Sequence, residues 1–194
     1  MQLTGDPHAD QLLGTDDLAL LIGMLLDQQV PMETAFAGPA KIRDRLGVLD
    51  AAALADMDPG RVEQAFRQPP AVHRFPGSMA ARTQALCRAV QEEWHGDASA
   101  IWTRGDPDGA EVLRRLASLP GFGEQKAKIF LALLGKRRGL QAPGWREASA
   151  PFGTEGAFLS VADITDQASL ARVREHKRAV KAAAKSGRAS AGGR

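Results

Sequence analysis

The stretch best suited to chemistry is Leu119-Pro120-Gly121-Phe122-Gly123-Glu124-Gln125-Lys126-Ala127-Lys128. A Pro-Gly-x-Gly turn between two apolar-periodic segments predicts a pair of helices joined by a tight hairpin. Gly121 and Gly123 tolerate the positive φ angles such a turn demands, and they leave the backbone uncovered. The second helix then begins with unpaired N–H groups at the positive end of its dipole, a ready site for a phosphate. Lys126 and Lys128 are expected to face solvent and add attraction for an anion. A purely structural αα-hairpin capped by glycine is the alternative reading. A second polar group, Asp27-Gln28-Gln29, emerges from the end of an otherwise greasy segment.

The elements that must position these residues read as helices throughout. Thr15-Asp16-Asp17 forms an N-cap cluster and opens a strongly apolar central helix over 16–29. Apolar residues on most of its sides predict burial. The residues before it, Met1 to Gly14, read as an extended lead-in. After Pro31 the pattern predicts a helix to Leu46 closed by Gly47, a short helix from Leu49 to Met57, and one capped by Asp58-Pro59. Ser78 to Trp94 forms a longer helix with Met79, Leu86, Cys87 and Val90 inward and with Arg82 and Arg88 on its other faces. The hairpin-helix unit spans 107–135, with Asp106-Pro107 as its cap. A loop around Trp145-Arg146-Glu147 and a partly extended stretch through Asp163 lead to a basic helix from Leu170 to about Lys185. No strand pattern appears. The expected fold is all-α: a single helical domain of two lobes over 1–185, followed by a disordered basic tail over 186–194.

The 194 residues carry a net charge of only +2, but the charge is unevenly placed. Residues 1–71 hold 11 acidic and 5 basic side chains, and the remainder 12 and 20. The basic part contains the hairpin, as a polyanion-binding face requires. No apolar run is long enough to cross a bilayer, and the acidic N-terminus is not a signal peptide. The single cysteine, Cys87, excludes an internal disulfide and any four-cysteine cluster, and a reducing, cytoplasmic setting is expected.

With the apolar helix, Leu25-Leu26-Asp27-Gln28-Gln29 and Leu119-Pro120-Gly121-Phe122-Gly123 in this order, the chain resembles the helix-hairpin-helix (HhH-GPD) DNA glycosylases of base-excision repair. These include the endonuclease III, adenine and alkylbase glycosylase relatives. The resemblance covers about Asp16 to Gly135. It implies two helical lobes with double-stranded DNA and a flipped base between them. It implies that Gln29, with Gln28 beside it, fills the gap left by the extruded base. It further implies that Gly121, Phe122, Gly123 and Gln125 grip a phosphate through the main chain, often with a bound alkali cation, while Lys126, Lys128 and Arg82 add to DNA binding. Trp145 and His73 would line the base pocket, although a core tryptophan and a loop histidine are the plainer readings.

Three departures from the family pattern define the expected chemistry. Bifunctional relatives carry a Schiff-base lysine two residues after the second hairpin glycine, where this chain has Gln125, so AP-lyase activity is not expected. The endonuclease III-type iron–sulfur loop is absent. The family's catalytic aspartate is also missing at its usual spacing, which leaves Asp163, in an apolar-then-Asp stretch, and Glu147 as candidates. The resemblance therefore implies a monomeric, monofunctional DNA glycosylase, cytoplasmic and associated with the nucleoid. A catalytically inactive DNA-binding protein that senses lesions or recruits partners is the alternative. A helical protein-interaction module is a third.

Overall fold

A computed structural model describes residues 2–191 of the chain. The described residues form α-helices and one 3-10 turn, with no strand among them. The lead-in is itself helical, contrary to the extended segment expected from its scattered apolar residues. Asp6 caps α1 (Pro7–Thr15) by accepting from the His8 N–H, and Pro7 occupies its first turn. Leu12 and Leu13 are buried against the next helix, which gives this short segment the tertiary support an isolated nine-residue helix lacks.

Asp16 caps α2 (Asp17–Leu26) through the Ala19 N–H. Every residue from Leu18 to Leu26 is buried, as a helix apolar on all sides must be. The helix stops at Leu26, three residues before the expected end, so Gln28 and Gln29 sit in a connection rather than on a helical face. Around α2 pack α3 (Met32–Phe36) and α4 (Gly38–Leu46), followed in the chain by α5 (Ala51–Asp56), α6 (Pro59–Arg67) and α7 (Pro76–Trp94). Both α5 and α6 pack on α7. Cys87 lies in this core, where burial pushes its thiol up to about 12, the behaviour of an inert structural thiol.

After α8 (Ala100–Thr103) comes the hairpin unit, α9 (Gly109–Ala117) and α10 (Glu124–Arg137). The cap of α9 is Asp108, whose side chain accepts from the Glu111 N–H, rather than the expected Asp106-Pro107. Short α11 (Trp145–Ala148) and a 3-10 turn at Val161–Asp163 pack on the same unit. The final helix α12 runs Gln167–Ala191, beyond the expected end near Lys185, so residues 186–191 of the expected disordered tail are helical and 192–194 lie outside the described residues.

Helices α2 and α10 run antiparallel, tied at both ends. Lys126 near the start of α10 meets Leu25 near the end of α2, and Arg138 just past α10 pairs with Asp17 at the start of α2. This pairing brings the hairpin to the C-terminal end of the buried helix.

Candidate functional site

The hairpin is seated on α2 by a close approach that only glycine permits. Gly121 adopts φ +83°, and a Cβ there would lie 2.4 Å from the Leu25 side chain. Gly123 differs from the expectation: its φ of −81° is ordinary, and it serves as the N-cap of α10 with no side-chain cap. Apart from its chain neighbours, no atom lies within 4 Å of the position a Cβ would take at Gly123. The first turn of α10 therefore presents its N–H groups beside open space. Phe122 is buried edge-on against Phe130, which holds the turn in place. Gln125 is exposed beside it. Glu124 would compete with an incoming anion, but Lys128 draws it aside at 2.8 Å and holds its carboxyl below the usual range.

The 27–31 connection is anchored from three elements. His73 Nε2 donates to the Gln28 carbonyl at 2.9 Å, and Arg82 Nη1 donates to Gln28 Oε1 at 3.1 Å. Gln28 Nε2 donates to the Leu25 carbonyl at 2.9 Å, which also accepts from Lys126 Nζ at 2.8 Å. The next residue, Gln29, is exposed and held at φ +56°, a left-handed conformation that non-glycine residues rarely adopt. A rigid base thus presents one strained, outward side chain. Such an observed outlier points to function.

Gln28, Gln29, Arg82, Lys126 and the hairpin glycines, separate in sequence, are brought to one end of α2. His73 joins them as a root of the loop: it is 1% exposed, and its Nδ1 accepts from the Phe75 N–H at 3.1 Å. That placement differs from a pocket-lining side chain. Lys126 and Lys128 are both half-buried rather than turned to solvent. Burial holds Lys126 down to about 8, with Asp27 opposing the shift and Arg82 adding to it.

Sequence reasoning missed two neighbours of this cluster. Phe75 stands 43% exposed beside His73, with the Arg74 guanidinium 4.7 Å from its ring. An aromatic followed by Pro-Gly in a basic loop was the available signal. Asp27 is half-buried, and burial raises its carboxyl above the usual range against the pull of Lys177 and Lys126. Its signal was an acid at the negative end of a helix, where the dipole disfavours it.

The other predicted residues lie elsewhere. Asp163 is committed at both oxygens: Oδ1 accepts from Lys136 Nζ at 2.6 Å, and Oδ2 accepts from the Leu159 and Ser160 N–H groups in a capping box. Lys136 is ten residues beyond Lys126, about 15 Å along α10, so Asp163 stands well away from the hairpin. Glu147 is exposed on α11. Trp145 is buried, and a Cβ at Gly135 or Gly109 would lie within about 2.5 Å of its atoms, so its indole and backbone close the α9–α10–α11 core rather than line a base pocket. Among the described residues no cluster of three or more His, Cys, Asp or Glu could hold a metal ion. No helix among them is long and apolar enough to cross a membrane.

A buried helix ending in a polar loop, clasped by a glycine hairpin on the start of a second helix, defines a helix-hairpin-helix scaffold of the base-excision type. The family model for HhH-GPD superfamily base excision DNA repair proteins matches residues 22–189, and the chain belongs to that family. No curated protein and no solved structure matches it.

Proposed function

We propose that this base excision repair protein is a monofunctional DNA glycosylase, which extrudes a damaged or mismatched base from duplex DNA and hydrolyses its N-glycosidic bond. The convergence of Gln29 and the uncovered start of α10 on one end of α2 carries the reading. A duplex held by a phosphate at Gly121–Gln125 would lie against Gln29, whose amide can enter the stack and hydrogen-bond the orphaned partner base. Exposed Phe75 would press on the neighbouring base step, with Arg74 and Arg82 near the backbone. A cation at the hairpin would be held by main-chain carbonyls, and the open space beside Gly123 leaves room for it between hairpin and phosphate.

Gln125 at the Schiff-base position and the engagement of Lys126 with Leu25 both favour hydrolysis without strand cleavage. The reading includes action as a monomer on cytoplasmic, nucleoid DNA. One observation favours the second reading, a catalytically silent lesion sensor: Asp163 is fully engaged by Lys136 and the backbone.

Incubation with duplexes carrying uracil, hypoxanthine, alkylated, oxidised and mismatched bases tests the choice. Strand breaks that appear only after alkali identify a monofunctional glycosylase. Breaks without alkali identify a lyase. Tight, salt-sensitive binding with no base release from any duplex identifies the sensor.

A further inference from the structure

One carboxylate at the C-terminal end of α2 serves neither the fold nor the grip on a phosphate. The Asp27 N–H continues α2 by donating to the Gly23 and Met24 carbonyls at 3.1 and 3.3 Å. Its side chain has no hydrogen-bond or ion-pair partner among the described residues. It lines a cavity of about 430 Å³ between the 27–33 connection and α12. Val30, Pro31, Met32, Ile164, Leu170 and Val173 form the apolar lining of this cavity; Lys177 and Arg178 contribute cationic groups, and Arg174 is paired there with Glu33. Such a volume, apolar on one side and charged on the other, suits a small flat ligand with polar edge groups. Two residues along, Gln29 points outward from the same connection.

We infer that Asp27 is the carboxylate that acts on the deoxyribose of an extruded nucleotide, and that the cavity beside it receives an uncharged nucleobase. The inference rests on the glycosylase reading. The C1′–N bond breaks with its electron pair leaving on the base, and the ionised Asp27 stabilises the cationic sugar that forms. Water adds its oxygen to C1′ and releases one proton, which Asp27 accepts and returns to solvent. The departing base takes up one proton from solvent. The products are a free base and an abasic sugar, one water is consumed, and no oxidant is needed. Lys126 on α10 and Lys177 on α12 favour the ionised acid, while Glu33 on α3 opposes it. With Arg174 neutralised by Glu33, Lys177 and Arg178 outweigh the single charge of Asp27 around the cavity. They disfavour a positively charged alkylated base, which is why the occupant is assigned as neutral.

The test uses the full chain, Asp27→Asn and Asp163→Asn, with two readouts. The first is single-turnover base release from the duplex panel. The second is the ratio of affinities for a duplex bearing a cationic pyrrolidine abasic analogue and one bearing a neutral tetrahydrofuran. Asp27→Asn is expected to lose at least 100-fold in release and the whole preference for the cationic analogue, while still binding the neutral one. If release or preference survives within threefold in that variant, or if the unaltered protein shows no cationic preference, the inference is overturned. An unaltered protein that releases no base yet shows a preference abolished by Asp27→Asn would refute the glycosylase reading on that panel, and with it the catalytic role of Asp27. Only a contact between Asp27 and a cationic sugar position would then remain. Asp27→Ser, which also removes the acid, supplies the same comparison if the Asn variant does not fold.

Discussion

Lys126 Nζ donates to the Leu25 carbonyl at 2.8 Å across 101 residues of chain. That bond joins the start of α10 to the end of α2, just before the loop bearing Gln29. Under the proposed function, a phosphate held at the hairpin would therefore fix where Gln29 meets the base stack. The same ammonium also pulls the Asp27 carboxyl toward its ionised form, against the burial that raises it. The proposed phosphate grip, wedge and carboxylate thus share one corner of the molecule.

The burial of Lys126 sets a pH dependence of stability. Its folded value is held near 8 against 10.5 for the free side chain. Below about pH 8 both states carry the proton, and the cost of burying the charge is present in full. Between pH 8 and 10.5 the unfolded chain binds the proton more than the folded one, so stability rises with pH. Relative to Lys126→Met, the unaltered protein should gain on the order of 2 kcal/mol across that window, allowing for partial solvent screening. Urea unfolding of both at pH 7.5 and pH 10 measures it, and parallel profiles would refute it.

The two hairpin glycines should separate stability from binding. Gly121→Ala meets both positive φ and Leu25, and should cost roughly 2–3 kcal/mol. Gly123→Ala meets open space at an ordinary φ, so stability should change by less than about 0.5 kcal/mol. Its added methyl occupies the proposed path of a phosphate, and duplex affinity should fall several-fold. Thermal unfolding and titration at fixed salt check both, and a Gly123→Ala protein with unchanged affinity would place the phosphate elsewhere.

Gln29 stores strain that a glycine would release. Gln29→Gly should raise stability by roughly 1 kcal/mol while abolishing any preference for mismatched or abasic duplex over intact duplex. Phe75→Ala should weaken the same preference with little change in stability, since its ring is substantially exposed. Competition binding against intact duplex reads the preference, and its survival in both variants would remove these residues from the interface.

The Asp163–Lys136 pair should behave as structure. Asp163→Asn leaves the Lys136 ammonium, 14% exposed, without its anionic partner and should cost about 3 kcal/mol. Trp145→Ala opens a void against Gly135 and should cost about 3–5 kcal/mol. In both variants base release per folded molecule should hold within threefold. A 100-fold loss in stable Asp163→Asn protein would return the catalytic role to Asp163.

Much of this arrangement was legible in one dimension. Turn chemistry at Leu119–Gly123 and the unbroken apolar run of α2 specify local conformation and burial directly, because glycine geometry and helical periodicity act over a few residues. The family, the helical class and the two segments that meet all followed from them. Short-range signals could not say which lysine of α10 turns inward: Lys126 is buried because α2 ends against it. Nor could they separate the two candidate acids, Asp163 and Glu147, or single out Asp27. Asp163 is engaged by a lysine 27 residues away and Glu147 faces solvent, while Asp27 opens into a cavity whose far wall is α12. Residue type and spacing determined what could turn, cap and be buried. The tertiary structure decided which charges lost water and which kept a free side, because desolvation depends on what packs across the chain.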